Sequence, residues 1–329
     1  RIMIEQGDSS AEIQDAMGAE LIRISEGASN KTSFNAGEVF KKSIDGLRER
    51  MEGRATNYKT GLTDLDSVLR IEAGRVTMIA GRPGMGKSAL ANQIIINSCR
   101  AGIPTIMFTM EMSAEEVGNR LLCSVGKVDN RFFLEPLEYK YPKEAQAGLS
   151  RALAEAKLWP LEVDEKTSAS AEHIRTKIRS FLRKHPAYAE EGKGIVLVDY
   201  LGLMKMSEAN RVHAIGEVSK AMKSLAGELK IPIILLHQLN RGVEQRPDKR
   251  PVASDLRDSG ELEEDMDHIV MVYRDEVYNE DSPSKGIAEL IVRKNRTGQN
   301  NVTARVATQL QYYKFTNLAA QYYDQNYNN

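Results

Sequence analysis

Two N-terminal stretches carry apolar residues at helical spacing. Residues 10–26, "SAEIQDAMGAELIRISE", place Ile13, Met17, Leu21 and Ile24 on one helix face. A polar break, "GASNKTSFN", follows. "NAGEVFKKSIDGLRERM" then repeats the pattern at Phe40, Ile44, Leu47 and Met51, with Asn35 as N-cap and Glu38 three residues on. No adjacent segment is patterned to cover either apolar face. Each helix either packs back on its own domain or docks on another subunit, and spacing alone leaves both open.

From residue 70 the texture changes. Short β-rich runs at 75–80, 104–110, 194–200, 231–238 and 268–273 alternate with helix-like segments near 87–101, 113–126, 144–157, 171–185 and 215–230. Near-continuous apolar strands alternating with helices predict an α/β fold with a mainly parallel sheet covered on both faces. After residue 286, "GIAELIVRKNRTGQNNVTARV" and "LQYYKF" alternate with a Gly/Asn turn, which predicts antiparallel hairpins at the sheet edge. The tail "AAQYYDQNYNN" is polar and rich in Asn, Gln and Tyr, the composition of a disordered end.

Composition narrows the possibilities only slightly. The chain has 329 residues, enough for one large domain or two smaller ones. Its 45 basic and 46 acidic residues leave no global nucleic-acid signature, so such a contact must come from local patches or from several subunits together. Cys99 and Cys123 lack metal-ligand or redox spacing, which fits a reducing cytoplasm. No apolar run reaches the ~18 residues of a membrane span, and "RIMIEQGDSS" is not a signal peptide. The chain opens on Arg1 rather than Met, which reads as a fragment without its first part. The histidines, His173, His185, His213, His237 and His268, form no metal spacing.

The chemistry concentrates in "AGRPGMGKSAL", residues 80–90. It contains G-x-x-x-x-G-K-S as Gly81, Gly86, Lys87 and Ser88, after the strand "VTMIA" and before the helix "SALANQIIINSC". That context identifies a P-loop. Gly81, Arg82, Pro83, Gly84, Met85, Gly86, Lys87, Ser88 and Ala89 are therefore the expected nucleotide cradle. Its glycines let the backbone approach an anion, and the helix N-terminus favours negative charge. Lys87 is expected to bridge phosphates and Ser88 to ligate Mg²⁺. "IVLVDY" ends an apolar strand on Asp199, the expected second holder of the Mg²⁺ shell. "IMFTMEMS" ends another on Glu111, placed either as general base for an attacking water or as a charge opening the next helix. "IILLHQLNR" ends a third on His237 and Gln238, and an amide there could sense the γ-phosphate.

The order of these parts resembles the RecA-like motor of the DnaB-type replicative DNA helicases, from about residue 59 to 316. "TGLTDLDSVL", "FTMEMS", "LVDYLGLM", "QLNRGVEQRPDKRPVASDLRDSGELEEDMD" with "VYRDEVY", and "RKNRTGQ" all resemble that family's runs. The resemblance implies a RecA-like P-loop ATPase that binds ATP and Mg²⁺, with Glu111 as catalytic base and Asp199 as the Walker B acid. It implies Gln238 as the link from ATP to the DNA loops. Arg296 would be an arginine finger, with Lys294 beside it, acting on ATP of the neighbouring subunit. It implies Arg257, Asp258 and Gly260 in a loop gripping single-stranded DNA, supported by Arg246, Lys249 and Arg250. The acidic run after it (Glu261, Glu263, Glu264, Asp265, Asp267) reads as a solvated helix face. A homohexamer, a primase, a helicase loader and a cytoplasmic setting, bacterial or phage-infected, follow from the same likeness.

The resemblance also divides the chain: 1–29 as the end of a collar domain, 30–57 as a linker with a docking helix, 58–318 as the motor, 319–329 as the tail. Three positions depart from the family pattern. Gly202 stands where Gln is usual, "TGQNN" replaces a Pro-containing turn, and Asp258 replaces a Glu. Other RecA-like ATPases compete, namely a recombinase or a branch-migration motor whose usual four-cysteine finger two cysteines cannot supply. A ring that uses ATP only to assemble on DNA is the competitor of a different class.

Overall fold

The structure, a computed structural model, describes residues 33–52, 56, 58–166, 169–199 and 211–318, with the side chains of 211–215 and 257–261 outside the description. The expected helix at 10–26, Gly202 and the tail at 319–329 lie outside the described residues. The chain divides into two compact units, with the boundary between Thr56 and Asn57.

In the first unit, α1 (Ala36–Met51) forms where the sequence places it. Asn35 Oδ1 accepts from Glu38 N at 3.0 Å, and Glu38 Oε2 accepts from Asn35 N at 3.0 Å. This reciprocal box satisfies two helix-end donors. No residue of α1 is buried, and Val39, Phe40, Ile44, Leu47 and Met51 stand exposed.

Among the described residues the second unit holds a nine-stranded sheet ordered β3-β2-β4-β5-β1-β6-β7-β8-β9. Its elements begin with α2 (Thr63–Val68), β1 (Val76–Gly81), α3 (Lys87–Arg100), β2 (Thr105–Thr109), α4 (Ala114–Gly126) and α5 (Arg131–Leu134). α6 (Pro142–Ala156), β3 (Leu161–Asp164), α7 (Ala171–Arg183), α8 (Pro186–Glu191), β4 (Ile195–Asp199) and α9 (Arg211–Leu229) follow. β5 (Ile233–Gln238), α10 (Gly260–Asp265), β6 (His268–Tyr273), β7 (Ile287–Asn295), β8 (Val302–Gln309) and β9 (Lys314–Thr316) complete the unit. β3, β2, β4, β5, β1 and β6 run parallel, and β7, β8 and β9 add antiparallel pairs.

Both sheet faces are covered. Along β1, Val76, Met78 and Ala80 pack with Ile174 and Ile178 of α7 and Val218, Met222 and Leu225 of α9. Ile79 points to the other face, among Leu90, Ile94 and Ile95 of α3. The period-2 alternation of a strand sorts the two apolar sets, and burial on both sides explains why β1 reads as a continuous apolar run.

β3 is absent from the sequence reading. "LEVD" is short, half-buried and charged at alternate positions, so no apolar run announces it, yet it pairs with β2 from Thr105↔Leu161 to Phe108↔Asp164. A short edge strand packs on one face only, and its charges suit an exposed edge.

β9 reaches back beneath the P-loop. A Cβ on Gly86 would lie 2.5 Å from Cζ of Phe315, a fully buried side chain. Gly86 also has φ +104°, so its freedom from a Cβ is needed twice over. Phe315→Ala should cost ~3–5 kcal/mol in denaturant unfolding and raise the KM for ATP, because the cavity opens under the loop. An unchanged unfolding midpoint would contradict this packing account.

Candidate functional site

The site forms at the carboxyl edge of the parallel strands, where loops leave β1, β2, β4 and β5. Register brings the ends together. Gly81 pairs with Gln238, and Thr109 pairs with Asp199. Met110 N donates to Asp199 O at 2.8 Å, so Glu111 emerges beside Asp199. Such a strand-end crevice is where open α/β sheets place ligands.

The cradle is built as a loop between β1 and α3. Gly84 and Gly86 have φ +79° and +104°, a region L side chains avoid. Lys87 Nζ donates to Gly81 O at 2.9 Å and Arg82 O at 3.2 Å, curling over the loop it belongs to. Ser88 is half-buried at the start of α3, and Met85 and Ala89 are buried supports beneath the loop.

Arg82 plays a different part from the phosphate contact its position suggests. Its side chain is buried, with Nε donating to Glu244 Oε1 at 2.8 Å and Nη1 to Leu239 O at 2.8 Å. It braces the loop against the segment after β5. Arg274 braces the other side, donating from Nη1 to Gly84 O at 2.9 Å while paired with Glu276. Arg274 lies in the quoted run "VYRDEVY", but nothing in the sequence shows that it braces the P-loop, because it follows β6, far along the chain.

Burial and mutual charge set the ionisation. Desolvation lowers the Lys87 pKa to about 8, against the opposing pull of Asp199 and Glu111. Desolvation raises Asp199 to about 6, Glu111 adds to the rise, and Lys87 and Arg120 oppose it. Arg120, on α4 and stacked over Tyr313 at 5.1 Å, thus joins the site's electrostatics unannounced by any motif. Glu111 is exposed and lies outside α4, whose N-cap is Ser113 with Glu116 in the capping box. The alternative role of a helix-opening charge is therefore filled by Glu115 and Glu116. Gln238 is half-buried at the end of β5 beside Gly81.

Arg296 and Lys294 sit at the other edge. β7 is antiparallel to β6, so its end lies level with the beginnings of β6 and β1. Arg296 N donates to Asp267 O at 3.1 Å, next to Val76 at the start of β1. The P-loop leaves the opposite end of that six-residue strand, a separation of roughly 15–20 Å at strand rise. Lys294 Nζ donates to the carbonyls of Glu263 and Glu264, closing the end of α10.

The expected DNA-facing residues divide into groups. The backbone of Arg257 and Asp258 lies in a 3₁₀ segment, Ala253–Ser259, and Gly260 opens α10, but their side chains lie outside the described residues. Arg246 is committed to Asp255 through two 2.8 Å bonds, and Arg250 to Glu289 at 2.7 and 2.8 Å. Arg246 closes the loop on itself, and Arg250 ties it to β7. Lys249 lies 5.5 Å over the Tyr278 ring. The acidic run, whose pattern reads as a solvated helix face, is buried at Asp267. Asp267 is fully buried among cations that the local sequence does not reveal.

The chain is similar to proteins of known kind. The replicative DNA helicase DnaB of Buchnera aphidicola subsp. Acyrthosiphon pisum (strain APS) is 32% identical over 329 residues, covering 97% of this chain and 70% of that protein. That of Pasteurella multocida (strain Pm70) is 34% identical, covering 96% of this chain and 68% of its own length. A DnaB-like replicative helicase solved with its interactions with primase superposes with TM-score 0.76 at 33% identity, over 94% of this chain and 72% of that one. The RadB recombinase, at 19% identity and TM-score 0.50, shares the fold alone. Residues 58–317 match the family described as the DnaB-like helicase C terminal domain, and the chain belongs to that family.

Proposed function

We propose that this chain is the motor of a replicative DNA helicase. ATP hydrolysis at subunit interfaces of a homohexamer drives it along single-stranded DNA, 5′ to 3′, and unwinds the duplex at a fork. One observation carries the interface reading. The P-loop, Glu111 and Asp199 stand at one end of β1, and Arg296 stands at the other. The chain's own Arg296 is too far from its own P-loop to complete the site, so a neighbour must supply that group. A head-to-tail contact of this kind generates rings when it closes.

The donor set fits a nucleotide with Mg²⁺. Lys87, a desolvated ammonium bonded to loop carbonyls, can exchange them for phosphate oxygens. Asp199 and the Ser88 hydroxyl supply the hard oxygen ligands Mg²⁺ prefers. Mg²⁺, when bound, neutralises charge on the phosphates. Glu111 accepts a proton from the attacking water, and Gln238 reports the phosphate state to the segment after β5. The neighbour's Arg296 stabilises the charge that develops in the transition state.

The DNA path runs along the 3₁₀ segment and α10. The DNA contact is assigned to the segment that carries Arg257, Asp258, Gly260 and Lys249, repeated in each subunit and reading backbone rather than sequence. α1 is the linker helix, whose uncovered apolar face docks on an adjacent motor, and the residues before it close a collar domain. Primase and a loader are the partners, in the cytoplasm of a bacterium or a phage-infected cell. Among the described residues no helix is long and apolar enough to cross a membrane.

Steady-state ATPase with and without single-stranded DNA tests the motor reading. DNA should raise turnover several-fold and less so as salt increases, because phosphate contacts release counterions. Turnover indifferent to DNA would remove the motor reading and leave a ring that binds ATP to assemble.

The two perturbed groups set the pH dependence. Asp199 is ionised only above its raised pKa of about 6, and Lys87 stays protonated only below its lowered pKa of about 8. The free enzyme's kcat/KM for Mg–ATP should therefore fall below pH 6 and above pH 8. Asp199→Asn should abolish the acid limb. A flat profile between about pH 5 and about pH 9 would contradict both assignments.

A further inference from the structure

At the far edge of the sheet, one buried carboxylate gathers three cations. Asp267 is 0% exposed. Its Oδ1 accepts from Arg75 Nη1 at 3.2 Å and from Arg296 Nη1 at 3.1 Å. Its Oδ2 accepts from Val76 N at 3.0 Å and pairs with Lys223 Nζ of α9 at 2.5 Å. Its backbone is bonded on both sides as well, with Asp267 N donating to Val76 O and Arg296 N donating to Asp267 O.

Burial pushes the Asp267 carboxyl up, but Lys223, the Val76 N–H and Arg296 outweigh it and hold its pKa at about 2. Arg296 is one of the donors that keep the carboxylate ionised. It shares Oδ1 with Arg75 and is the most exposed of the three cations, at 59% against 35% for Arg75 and 30% for Lys223. One negative and three positive charges leave the cluster net positive. The outermost cation is therefore steered by Asp267 yet free to meet an incoming anion. The turn beyond it is fixed independently, by Asn295 Nδ2 donating to Val68 O at 2.9 Å and Asn300 Oδ1 accepting from Asn295 N at 2.6 Å.

We infer that Asp267 is a positioning residue for Arg296, aiming the guanidinium out of the sheet edge toward a nucleotide phosphate held by the adjacent subunit. This rests on reading Arg296 as the trans-acting group. Asp267 also ties that group to the start of β1, whose other end carries the chain's own P-loop, and to α9, whose Ser219 Oγ bonds Asp265 of α10 at 2.6 Å. The carboxylate thus joins the group that would serve the neighbour's site to the elements beside the DNA path.

The test is a cycle of Asp267→Asn, Arg296→Ala and the double variant, read as DNA-stimulated kcat and KM for ATP in assembled rings. Asp267→Asn should lower kcat about tenfold or more with KM changed less than about threefold, since misaiming costs transition-state rather than ground-state contact. The double variant should be no slower than Arg296→Ala alone. Additive losses would mean that Asp267 acts on activity through general structure, and the inference would fall. A wild-type kcat in folded Asp267→Asn beside a slow Arg296→Ala would overturn it while leaving the arginine-finger reading intact. A wild-type kcat for Arg296→Ala would overturn both. If Asp267→Asn does not form rings, Asp267→Glu carries the test: it keeps the charge and displaces the oxygens. Its kcat should fall only while Arg296 is present, and unchanged turnover would refute the inference.

Discussion

Glu111→Gln is expected to slow ATP hydrolysis by ~10²–10⁴-fold while leaving nucleotide binding within a few-fold of wild type. The substitution keeps the size of the side chain and removes its basicity. Glu111 is well placed for this loss to be specific. It stands exposed beyond β2, beside Asp199 across the β2–β4 register, and it forms no part of the α4 cap. The P-loop and its braces, Arg82 with Glu244 and Arg274 with Gly84, do not involve it. Fluorescent-nucleotide titration beside steady-state turnover separates the two effects. A second consequence follows from charge. Glu111 helps to raise Asp199 toward pH 6, so neutralising it should move the acid limb of kcat/KM to lower pH. Near-normal turnover in Glu111→Gln would pass the role of base to another group.

Arg296→Ala is expected to cost ~10³–10⁵ in kcat, the worth of an arginine finger in related phosphoryl transfers. The same change should barely affect folding. The side chain is 59% exposed, and Asp267 keeps Arg75 and Lys223 as partners. Mixing distinguishes action on the neighbour's nucleotide from action within one chain. Arg296→Ala and Lys87→Ala subunits should each be inactive alone. In a random equal mixture, about a quarter of the interfaces join an intact P-loop to an intact Arg296, and activity should reappear. Mixed rings that stay inactive would place the group outside the neighbour's site.

Much of the fold was legible in the sequence, for physical reasons. Strands buried on both faces, such as β6, cannot hide their apolar runs, and the Asn35–Glu38 box announces the start of α1. The P-loop is equally plain, because its motif glycine Gly86, at φ +104° with Phe315 beneath it, leaves no room for a Cβ. What stayed hidden depends on partners distant in sequence. Arg246 and Arg250 read as a basic patch, yet Asp255 and Glu289 claim them. Asp267 read as part of a solvated acidic face, although Arg75, Lys223 and Arg296 converge on it from three other segments. β3 escaped because a half-buried edge strand needs no apolar run. The bracing role of Arg274 depends on β6 lying next to β1, a neighbourhood that only the sheet order supplies.

The most direct test of the central claim is strand displacement from a forked duplex with a 5′ single-stranded tail, run with ATP and Mg²⁺ beside Glu111→Gln and Arg296→Ala. The wild-type ring should release the strand, and both variants should assemble but release none. A wild-type ring that hydrolyses ATP yet never displaces a strand, with or without a loader, would contradict the helicase account and favour a clamp or a recombinase.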